Sequence, residues 1–183
     1  MKFGLKSKLL KLITIYYKTR YKLKLGKRTF IHGPNEFNTD GSIEIGNDTV
    51  ISRWSCYKPY GGYIKIGNNC SVNSFCHLSG NGGISIGDNV RIASHCVLIS
   101  ANHNFDRVDI PITYQGETRK QIIIEDDCWL GAGVKILAGV VVHRGSVIGA
   151  GSVVTKSVPP YSVVVGIPGK VIRLRVKDFD DIK

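Results

Sequence analysis

The chain has 183 residues, of which 43% are hydrophobic and 21% charged, a composition typical of one globular domain with short appendages. Its formal net charge is +11, but ten of the 25 Lys and Arg residues precede the first acid, Glu36. The rest of the chain is nearly neutral, which argues against a basic nucleic-acid groove across the fold. The five cysteines are an odd number without paired spacing, so a disulfide framework is not expected.

The N-terminal region shows no sign of a targeting segment. Lys6, Lys8 and Lys11 interrupt its only apolar run, and no small-residue cleavage site follows, so we expect no signal peptide. No stretch of the chain approaches the roughly 18 consecutive apolar residues of a membrane span. The sequence therefore predicts a cytoplasmic protein.

The first 20 residues have the apolar spacing of an amphipathic helix. Five apolar residues are expected to share one face: Leu5, Leu9, Leu12, Ile13 and Tyr16. Such a helix either caps the end of the following domain or contacts an anionic membrane, which attracts each nearby Lys or Arg by about 1 kcal/mol. Because the segment contains no acid, we favour membrane contact through residues 1–28. The two roles are compatible.

The central part of the chain follows a repeat of six residues. Its C-terminal half has an aliphatic residue at every sixth position: Ile124, Leu130, Ile136, Val142, Ile148 and Val154. The same register starts earlier at Ile45, Ile66 and Ile86, each followed by glycine and Asn or Asp. A period of six fits neither a helix nor an ordinary strand, but it fits short strands joined by tight corners in stacked coils. We predict an all-β solenoid, because a sandwich of short strands would not require this strict spacing.

The repeat divides the chain into three parts. Residues 1–30 form the basic amphipathic N-terminal segment, residues 31–170 the solenoid, and residues 171–183 a short charged tail. Residues 102–121 interrupt the repeat and are predicted to project as a loop, where functional residues concentrate. Residues 54–62 and 79–83 are expected to form shorter corner extensions.

Cysteine and histidine positions separate structural from functional candidates. Four cysteines fall at the small inward position of the repeat and are interpreted as buried: Cys70, Cys76, Cys96 and Cys128. His103 stands at the start of the long loop and is the functional candidate. The other four histidines are interpreted as ordinary polar residues: His32, His77, His95 and His143.

A zinc site built from His77, His95 and His103 is a minor alternative. Residues stacked in neighbouring coils are about 20 positions apart, as Ile66 and Ile86 are, whereas His77 and His95 are 18 apart. One chain is therefore not expected to form a zinc cluster. Ligands shared between subunits would keep this alternative open.

The chain resembles the hexapeptide-repeat acyltransferases, and within them the galactoside and maltose O-acetyltransferase branch and the polysaccharide O-acetyltransferases. The resemblance covers residues 42–173 and rests on a loop histidine combined with the motifs WLGAG, VVTK and GIPGKVIR. It implies a left-handed parallel β-helix, acetyl-CoA as the acyl donor and no required metal. It also implies a homotrimer with active sites between subunits.

The family's functional residues can be carried over to matching positions. His103 corresponds to the general base, and three residues correspond to the acceptor site: Asn73, Asn102 and Trp129. Seven positions correspond to the coenzyme A site: Ala132, Gly149, Ala150, Thr155, Lys156, Lys170 and Arg173. Residues 1–30 depart from the sugar acetyltransferase pattern, so the resemblance does not identify the acceptor.

Acetyl transfer by these residues is also chemically reasonable without the family resemblance. A thioester is already activated, so the protein must supply a base, orientation and donors for the oxyanion, and histidine titrates near neutral pH. Lys156, Lys170, Arg173 and Arg175 would meet the phosphates of coenzyme A, although on charge alone they also fit a solvated basic tail.

We expect direct acetyl transfer, without a covalent enzyme intermediate, to a sugar hydroxyl of a surface polysaccharide such as O-antigen, capsule or exopolysaccharide. A lipid-linked precursor at the inner face of the membrane would suit the basic N-terminus. Within acyltransferases, the alternatives are N-acetylation of an amino-sugar nucleotide and acetylation of serine or an antibiotic. Outside them are a metalloenzyme like the γ-carbonic anhydrases and a purely structural solenoid.

Overall fold

The computed structural model describes residues 2–175, with side chains from residue 8 onward. The side chain of Leu5 and residues 176–183 of the predicted tail lie outside the described residues. One helix, α1 (Lys2–Arg20), precedes 22 short strands in this part of the chain. The strands are numbered in chain order, and all but two of them belong to three sheets, here named A, B and C.

The three sheets form the sides of stacked triangular coils. Sheet A contains β1 (Lys24–Leu25), β4 (Ser42–Ile45), β7 (Tyr63–Ile66), β10 (Ile84–Ile86), β15 (Ile122–Ile124) and β18 (Val141–Val142). Sheet B contains β2 (Phe30–Ile31), β5 (Val50–Ile51), β8 (Ser71–Val72), β11 (Arg91–Ile92), β16 (Trp129–Leu130), β19 (Val147–Ile148), β21 (Ser162–Val165) and β22 (Lys170–Leu174). Sheet C contains β3 (Glu36–Phe37), β6 (Cys56–Lys58), β9 (His77–Ser79), β12 (Val97–Ile99), β17 (Lys135–Ile136) and β20 (Val153–Val154). The remaining pair, β13 (Ala101–His103) and β14 (Glu117–Arg119), is antiparallel.

The register of the strands explains the six-residue repeat. Ile64 pairs with Ile84, one coil further on, and Leu130 pairs with Ile148, 18 residues later. A coil of 18 residues is three sides of six residues, so each sixth residue points into the core. The predicted parallel β-helix is confirmed, and the repeating aliphatic residues fill its interior.

The corner between sheets A and B shows why this sequence turns where it does. Asn69, Asn89 and Asp127 adopt positive φ there, a conformation that Asn and Asp tolerate better than most residues. A ladder of side chains also satisfies the corner amides: Asp88 Oδ1 accepts from the backbone N–H of Asn68 at 2.6 Å, and Asp126 Oδ1 accepts from that of Asp88 at 2.8 Å. The asparagine and aspartate residues of this corner are therefore structural.

The inward cysteines are structural as predicted. Cys70, Cys76, Cys96 and Cys128 are buried. Burial raises the pKa of the Cys128 thiol to about 11, so this thiol stays protonated and unreactive near neutral pH.

Helix α1 covers the open edge of the first coil. The Thr14 hydroxyl accepts a hydrogen bond from the backbone N–H of Ile31 at 3.0 Å, and the Tyr17 hydroxyl accepts one from that of Asn35 at 2.8 Å. The Tyr17 ring also packs on Phe37, with 5.4 Å between ring centroids. The helix thus pairs edge amides that would otherwise be free to bind another strand.

The predicted apolar face of this helix is wrong in detail. The covered face contains Thr14 and Tyr17, with Ile13 partly buried beside them. Leu9 and Leu12, which were expected on the same face as Ile13, are 58% and 63% exposed. The apolar residues of α1 therefore form two stripes, of which only one contacts the solenoid.

The predicted boundaries also need correction. The first coil begins at Lys24, inside residues 1–30 that were assigned to the N-terminal segment, and β22 occupies positions 170–174, most of which were assigned to the tail. Trp54, predicted to begin a corner extension, lies at a regular corner before β6. Strand β21 belongs to the last coil, because its Val164 pairs with Ile148.

The capping role of α1 predicts that mutations of two adjacent tyrosines, Tyr16 and Tyr17, will have different effects on stability. Tyr17→Phe removes the acceptor for the Asn35 amide, which should lower the free energy of unfolding by about 1–3 kcal/mol. Tyr16→Phe, the matched control, removes a hydroxyl from an exposed side chain and should leave stability unchanged. Urea unfolding followed by circular dichroism measures both. Equal stabilities of the two variants would contradict the capping role of Tyr17.

Candidate functional site

The insertion at residues 102–121 is a hairpin rather than an irregular loop. It leaves the corner between sheets C and A, where β13 pairs with β14 and His103 lies opposite Glu117. A short 3-10 helix, Ile112–Tyr114, lies near its far end. The His103 side chain is exposed, so the structure presents this imidazole on a projecting element, as the sequence predicted.

Side-chain hydrogen bonds fix the shape of the hairpin. Asn104 Nδ2 donates to the Gln115 carbonyl at 3.0 Å, and the Thr118 hydroxyl donates to Asn104 Oδ1 at 2.7 Å. Gln115 Oε1 accepts from the backbone N–H of Arg107 at 3.0 Å, and its Nε2 donates to the Ile110 carbonyl at 3.1 Å. A hairpin held in this way can keep a catalytic side chain in one orientation.

Glu117 is a neighbour of His103 that sequence reasoning missed. Directly opposed residues in an antiparallel pair have Cβ atoms about 4.5–5.5 Å apart. The Glu117 carboxylate accepts hydrogen bonds from Arg119 Nε at 2.7 Å and from Asn81 Nδ2 at 3.5 Å. The hairpin register alone places Glu117 opposite His103 in the backbone pairing, and no sequence motif marks it.

The predicted acceptor residues fall into two separate groups. Asn102 lies beside His103 on the hairpin, whereas Asn73 lies at the corner between sheets B and C and Trp129 lies on sheet B. The side chains of Asn73 and Trp129 are exposed. Sheet B is the side of the triangle opposite the corner that bears the hairpin, so one chain does not bring His103 together with Asn73 and Trp129.

The predicted coenzyme A residues lie in the last coils. Ala132, Gly149 and Ala150 lie at the corner between sheets B and C, and Thr155 and Lys156 follow β20 directly. Lys170 and Arg173 are exposed on β22.

The turn before β22 is bonded to the last coil. The Gly169 N–H donates to the Val153 carbonyl at 2.8 Å, and the Val153 N–H donates to that of Gly166 at 3.0 Å. This turn brings Lys170 to the same end of the solenoid as the last coil. Arg175 contacts Asp127 at 3.0 Å instead, so it has a structural partner.

Glycine makes one corner of these last coils unusually thin. Gly133 and Gly151 occupy equivalent positions between sheets B and C, with φ of +72° and +71°. A Cβ built at Gly151 would have no heavy atom within 4 Å, so packing does not demand glycine there. The positive φ does favour it, and the result is a strip of bare backbone that a ligand can approach closely.

The histidines considered for zinc do not cluster. His77 lies on sheet C, His95 at the corner between sheets B and C, and His103 on the hairpin. No group of three or more possible metal ligands occurs within the residues that the structure describes. Burial lowers the pKa of His77, and His143 Nδ1 lies 3.0 Å from Glu125 Oε1.

Comparison with known proteins agrees with this architecture. The family described as bacterial transferase hexapeptide (six repeats) matches residues 121–156. A candidate lipopolysaccharide biosynthesis O-acetyl transferase, WbbJ of Escherichia coli, is 30% identical over 78% of this chain and 77% of its own. A protein of Mycobacterium tuberculosis named as a probable acetyltransferase is 31% identical over 86% of this chain. The chain spans only about half of that relative's length, 51%.

Two solved structures share the fold. The hexapeptide-repeat-containing acetyltransferase VCA0836 of Vibrio cholerae, crystallised with acetyl coenzyme A, has a TM-score of 0.68 and 27% identity, covering 88% of this chain and 76% of its own. AntD of Bacillus cereus, an N-acyltransferase crystallised as a mutant with dTDP and coenzyme A, has a TM-score of 0.74 and 24% identity, covering 90% and 92%. At that identity the AntD likeness concerns the fold alone. The repeat, the matched family and the relative covered over most of its length agree: the chain belongs to the hexapeptide-repeat acyltransferase family.

Proposed function

We propose that this protein is an acetyl-CoA-dependent O-acetyltransferase that acts on a sugar hydroxyl in surface polysaccharide biosynthesis, with His103 as general base. The observation that carries the proposal is an exposed imidazole on a hydrogen-bonded hairpin that interrupts a regular solenoid. The name of the WbbJ relative supports a saccharide acceptor, and the acetyl coenzyme A complex of VCA0836 supports the donor.

The reaction needs one proton acceptor and one activated acyl group. His103 removes the proton from the acceptor hydroxyl while the oxygen attacks the thioester carbonyl. The tetrahedral intermediate then releases the coenzyme A thiolate, which takes the proton back from the imidazolium.

An assembly of subunits would complete the site. Within one chain, His103 and Asn102 lie across the triangle from Asn73 and Trp129. A homotrimer that places the hairpin of one subunit against sheet B of the next would bring the two groups together, and closed rotational symmetry would repeat the contact at each interface. We therefore propose three active sites per trimer, each formed by two subunits.

Coenzyme A would lie along the last coils. The bare corner at Gly133 and Gly151 lets the pantetheine arm approach the backbone near Ala132, Gly149 and Ala150. Lys156, Lys170 and Arg173 would meet the phosphates, where charge-assisted hydrogen bonds are strongest. This arrangement directs the thioester towards the level of the hairpin.

N-acylation of an amino-sugar nucleotide is the second candidate. It is kept as a candidate because AntD, a protein of the same fold, is an N-acyltransferase crystallised with dTDP and coenzyme A. Both reactions use a base and a thioester, so the acceptor decides between them. Thiol release from acetyl-CoA, measured with matched hydroxy- and amino-sugars, distinguishes the two activities.

Replacement of His103 tests the proposed base. His103→Ala should lower kcat by about 10²–10⁴-fold, the usual contribution of a general base, while the melting temperature stays the same because the side chain is exposed. His143→Ala is the matched control, since this histidine pairs with Glu125 at the corner between sheets A and B. A His103→Ala variant that retains wild-type turnover would refute the assignment.

Subunit mixing tests the shared site. His103→Ala and Asn73→Ala proteins should each be nearly inactive. When the two are unfolded and refolded together in equal amounts, roughly a quarter of the sites should combine an intact His103 with an intact Asn73 from the neighbour. Acetyltransferase activity should therefore reappear. Mixed oligomers, demonstrated by two affinity tags, that remain inactive would rule out a site between subunits.

The second stripe of α1 supports a membrane-associated role. Leu9, Leu12 and Tyr16 follow the helical spacing i, i+3, i+7 and are 58%, 63% and 57% exposed. Lys8 and Lys11 are also exposed beside this stripe and can attract anionic headgroups. An apolar stripe bordered by lysines is typical of a helix that lies in the plane of a membrane surface.

Ion pairs in the first coils support limiting the proposed membrane contact to helix α1. Lys24 and Arg28, further along the predicted basic segment, form ion pairs with Glu44 and Asp48 at 2.7 and 2.5 Å. None of the described helical residues forms a stretch long and apolar enough to cross a bilayer. We propose that α1 lies on the inner face of the membrane, with a lipid-linked saccharide as acceptor.

Vesicle binding tests this contact. The double variant Leu9→Ser/Leu12→Ser should bind vesicles containing phosphatidylglycerol at least about tenfold more weakly, because it removes two apolar side chains from the stripe. Val108→Ser, which changes a fully exposed hairpin residue, is the control, and phosphatidylcholine vesicles show the part due to charge. Wild-type binding by the double variant would contradict the proposal. Dissociation of an oligomer by this variant would show instead that the stripe joins subunits.

A further inference from the structure

The corner between sheets B and C carries an aromatic column that the proposed mechanism does not use. In three successive coils the equivalent corner position is Trp54, then Phe75, then His95, each with φ between +62° and +63°. Trp54 is 57% and Phe75 52% exposed. The rings of Phe75 and His95 are stacked, with centroids 5.0 Å apart and planes 19° apart.

Trp54, Phe75 and His95 adopt positive φ, a backbone conformation that is unfavourable for bulky residues. Positive φ costs an ordinary L-residue about 1–2 kcal/mol, and bulky side chains are rare there. The later coils place Gly133 and Gly151 at the same corner. Stacking of neighbouring rings recovers about 0.5–1.5 kcal/mol, but it does not require that Trp54 and Phe75 remain half-exposed. Tyr60 and Tyr161 adopt positive φ at other corners, so the strain alone does not mark a site. The feature particular to this corner is that neighbouring exposed rings line up along the axis.

The groove beside these rings is mainly apolar, with a few polar groups in its lining. It is lined by Trp54 and Phe75 together with Asn35, Glu36 and Cys56. The Glu36 carboxylate is held by Lys58 at 2.8 Å. A saccharide needs both features, because the C–H face of a sugar ring packs on an aromatic ring while its hydroxyls donate to carboxylate and amide oxygens.

The column is continuous with the proposed acceptor site. Asn73 lies two residues before Phe75 at the same corner, and Ala132 of the proposed coenzyme A site lies one residue before Gly133. Neighbouring coils are about 4.8 Å apart, so the three aromatic residues span roughly 10 Å along the axis. This is long enough to hold more than one sugar ring. The column runs from the level of the hairpin towards the end capped by α1.

We propose that Trp54, Phe75 and His95 form a platform that binds the saccharide chain of the acceptor beyond the sugar that is acetylated. The inference rests on the proposed acetyltransferase function and adds an extended subsite to it. A protein–protein contact would be expected to exclude charge from its centre, whereas this groove contains Glu36. Because the platform is long enough for more than one sugar ring, it should favour an oligosaccharide over a single sugar.

Acetyl transfer to p-nitrophenyl glycosides of glucose, galactose and N-acetylglucosamine, each with one, two and three sugar units, tests the platform. With the wild-type protein, KM should fall as the saccharide lengthens. The double variant Trp54→Gly/Phe75→Gly should raise KM for the longer glycosides by roughly three- to tenfold per ring removed. Its KM for acetyl-CoA should stay the same, and Trp54→Phe should retain most of the binding.

Tyr60→Gly is the matched control. Tyr60 is a partly exposed aromatic residue at positive φ in the same coil as Trp54, but it lies at the corner between sheets C and A. Its loss should not change KM for any glycoside. Because glycine suits positive φ, both glycine variants should unfold at the same temperature as the wild type or higher.

The outcomes separate the platform from the proposed function. A wild-type KM that does not depend on saccharide length, or an unchanged KM in the double glycine variant, would overturn the platform and leave the role of His103 intact. A glycine variant that is destabilised or dissociates an oligomer would show that the rings serve folding or subunit contact. A wild-type protein that transfers acetyl to no glycoside would instead refute the sugar acceptor itself.

Discussion

Backbone hydrogen bonding between coils is the constraint on which the whole molecule depends. Ile84 pairs with Ile64 on one side and with Ile122 on the other, so each position of a coil lies directly over the same position of the next. Strands of two to five residues leave no room for a shift of register, because a slip by one residue would turn every side chain to the other face. The side chains are therefore arranged in columns that run along the axis.

The residues stacked along the three corners of the solenoid form three columns that differ in composition because they have different roles. The column between sheets A and B is made largely of Asn and Asp, which adopt positive φ and pair the corner amides. The column between sheets B and C changes from aromatic residues to glycine along the axis. The column between sheets C and A contains the hairpin. Folding accounts for the first column, while the departures in the other two coincide with the proposed sites for acceptor, base and donor.

The sequence predicted whatever the repeat determines directly. The inward aliphatic residues and cysteines follow from the six-residue period, and a projecting segment that carries His103 follows from its interruption. The contact face of α1 did not follow, because apolar residues occupy two stripes of this helix. The Thr14 and Tyr17 hydroxyls select the covered stripe by accepting hydrogen bonds from edge amides, and apolar periodicity does not register such bonds. Glu117 was missed for a related reason, since only the hairpin register places it opposite His103.

The sequence could not predict that His103 and Trp129 lie far apart within one chain. The order of the motifs along the chain does not show which side of the triangular coil each motif occupies. The structure also shows the order of these features along the axis of the solenoid. Helix α1 closes the first coil, the hairpin lies between β12 and β15, and Lys170 and Arg173 belong to the last strand. An acceptor anchored at a membrane would thus enter from the end covered by α1, and coenzyme A would enter from the opposite end, which carries Lys170 and Arg173. Under the proposed mechanism, the two substrates would then meet at the level of His103 without competing for the same surface, which is what direct transfer in a ternary complex requires.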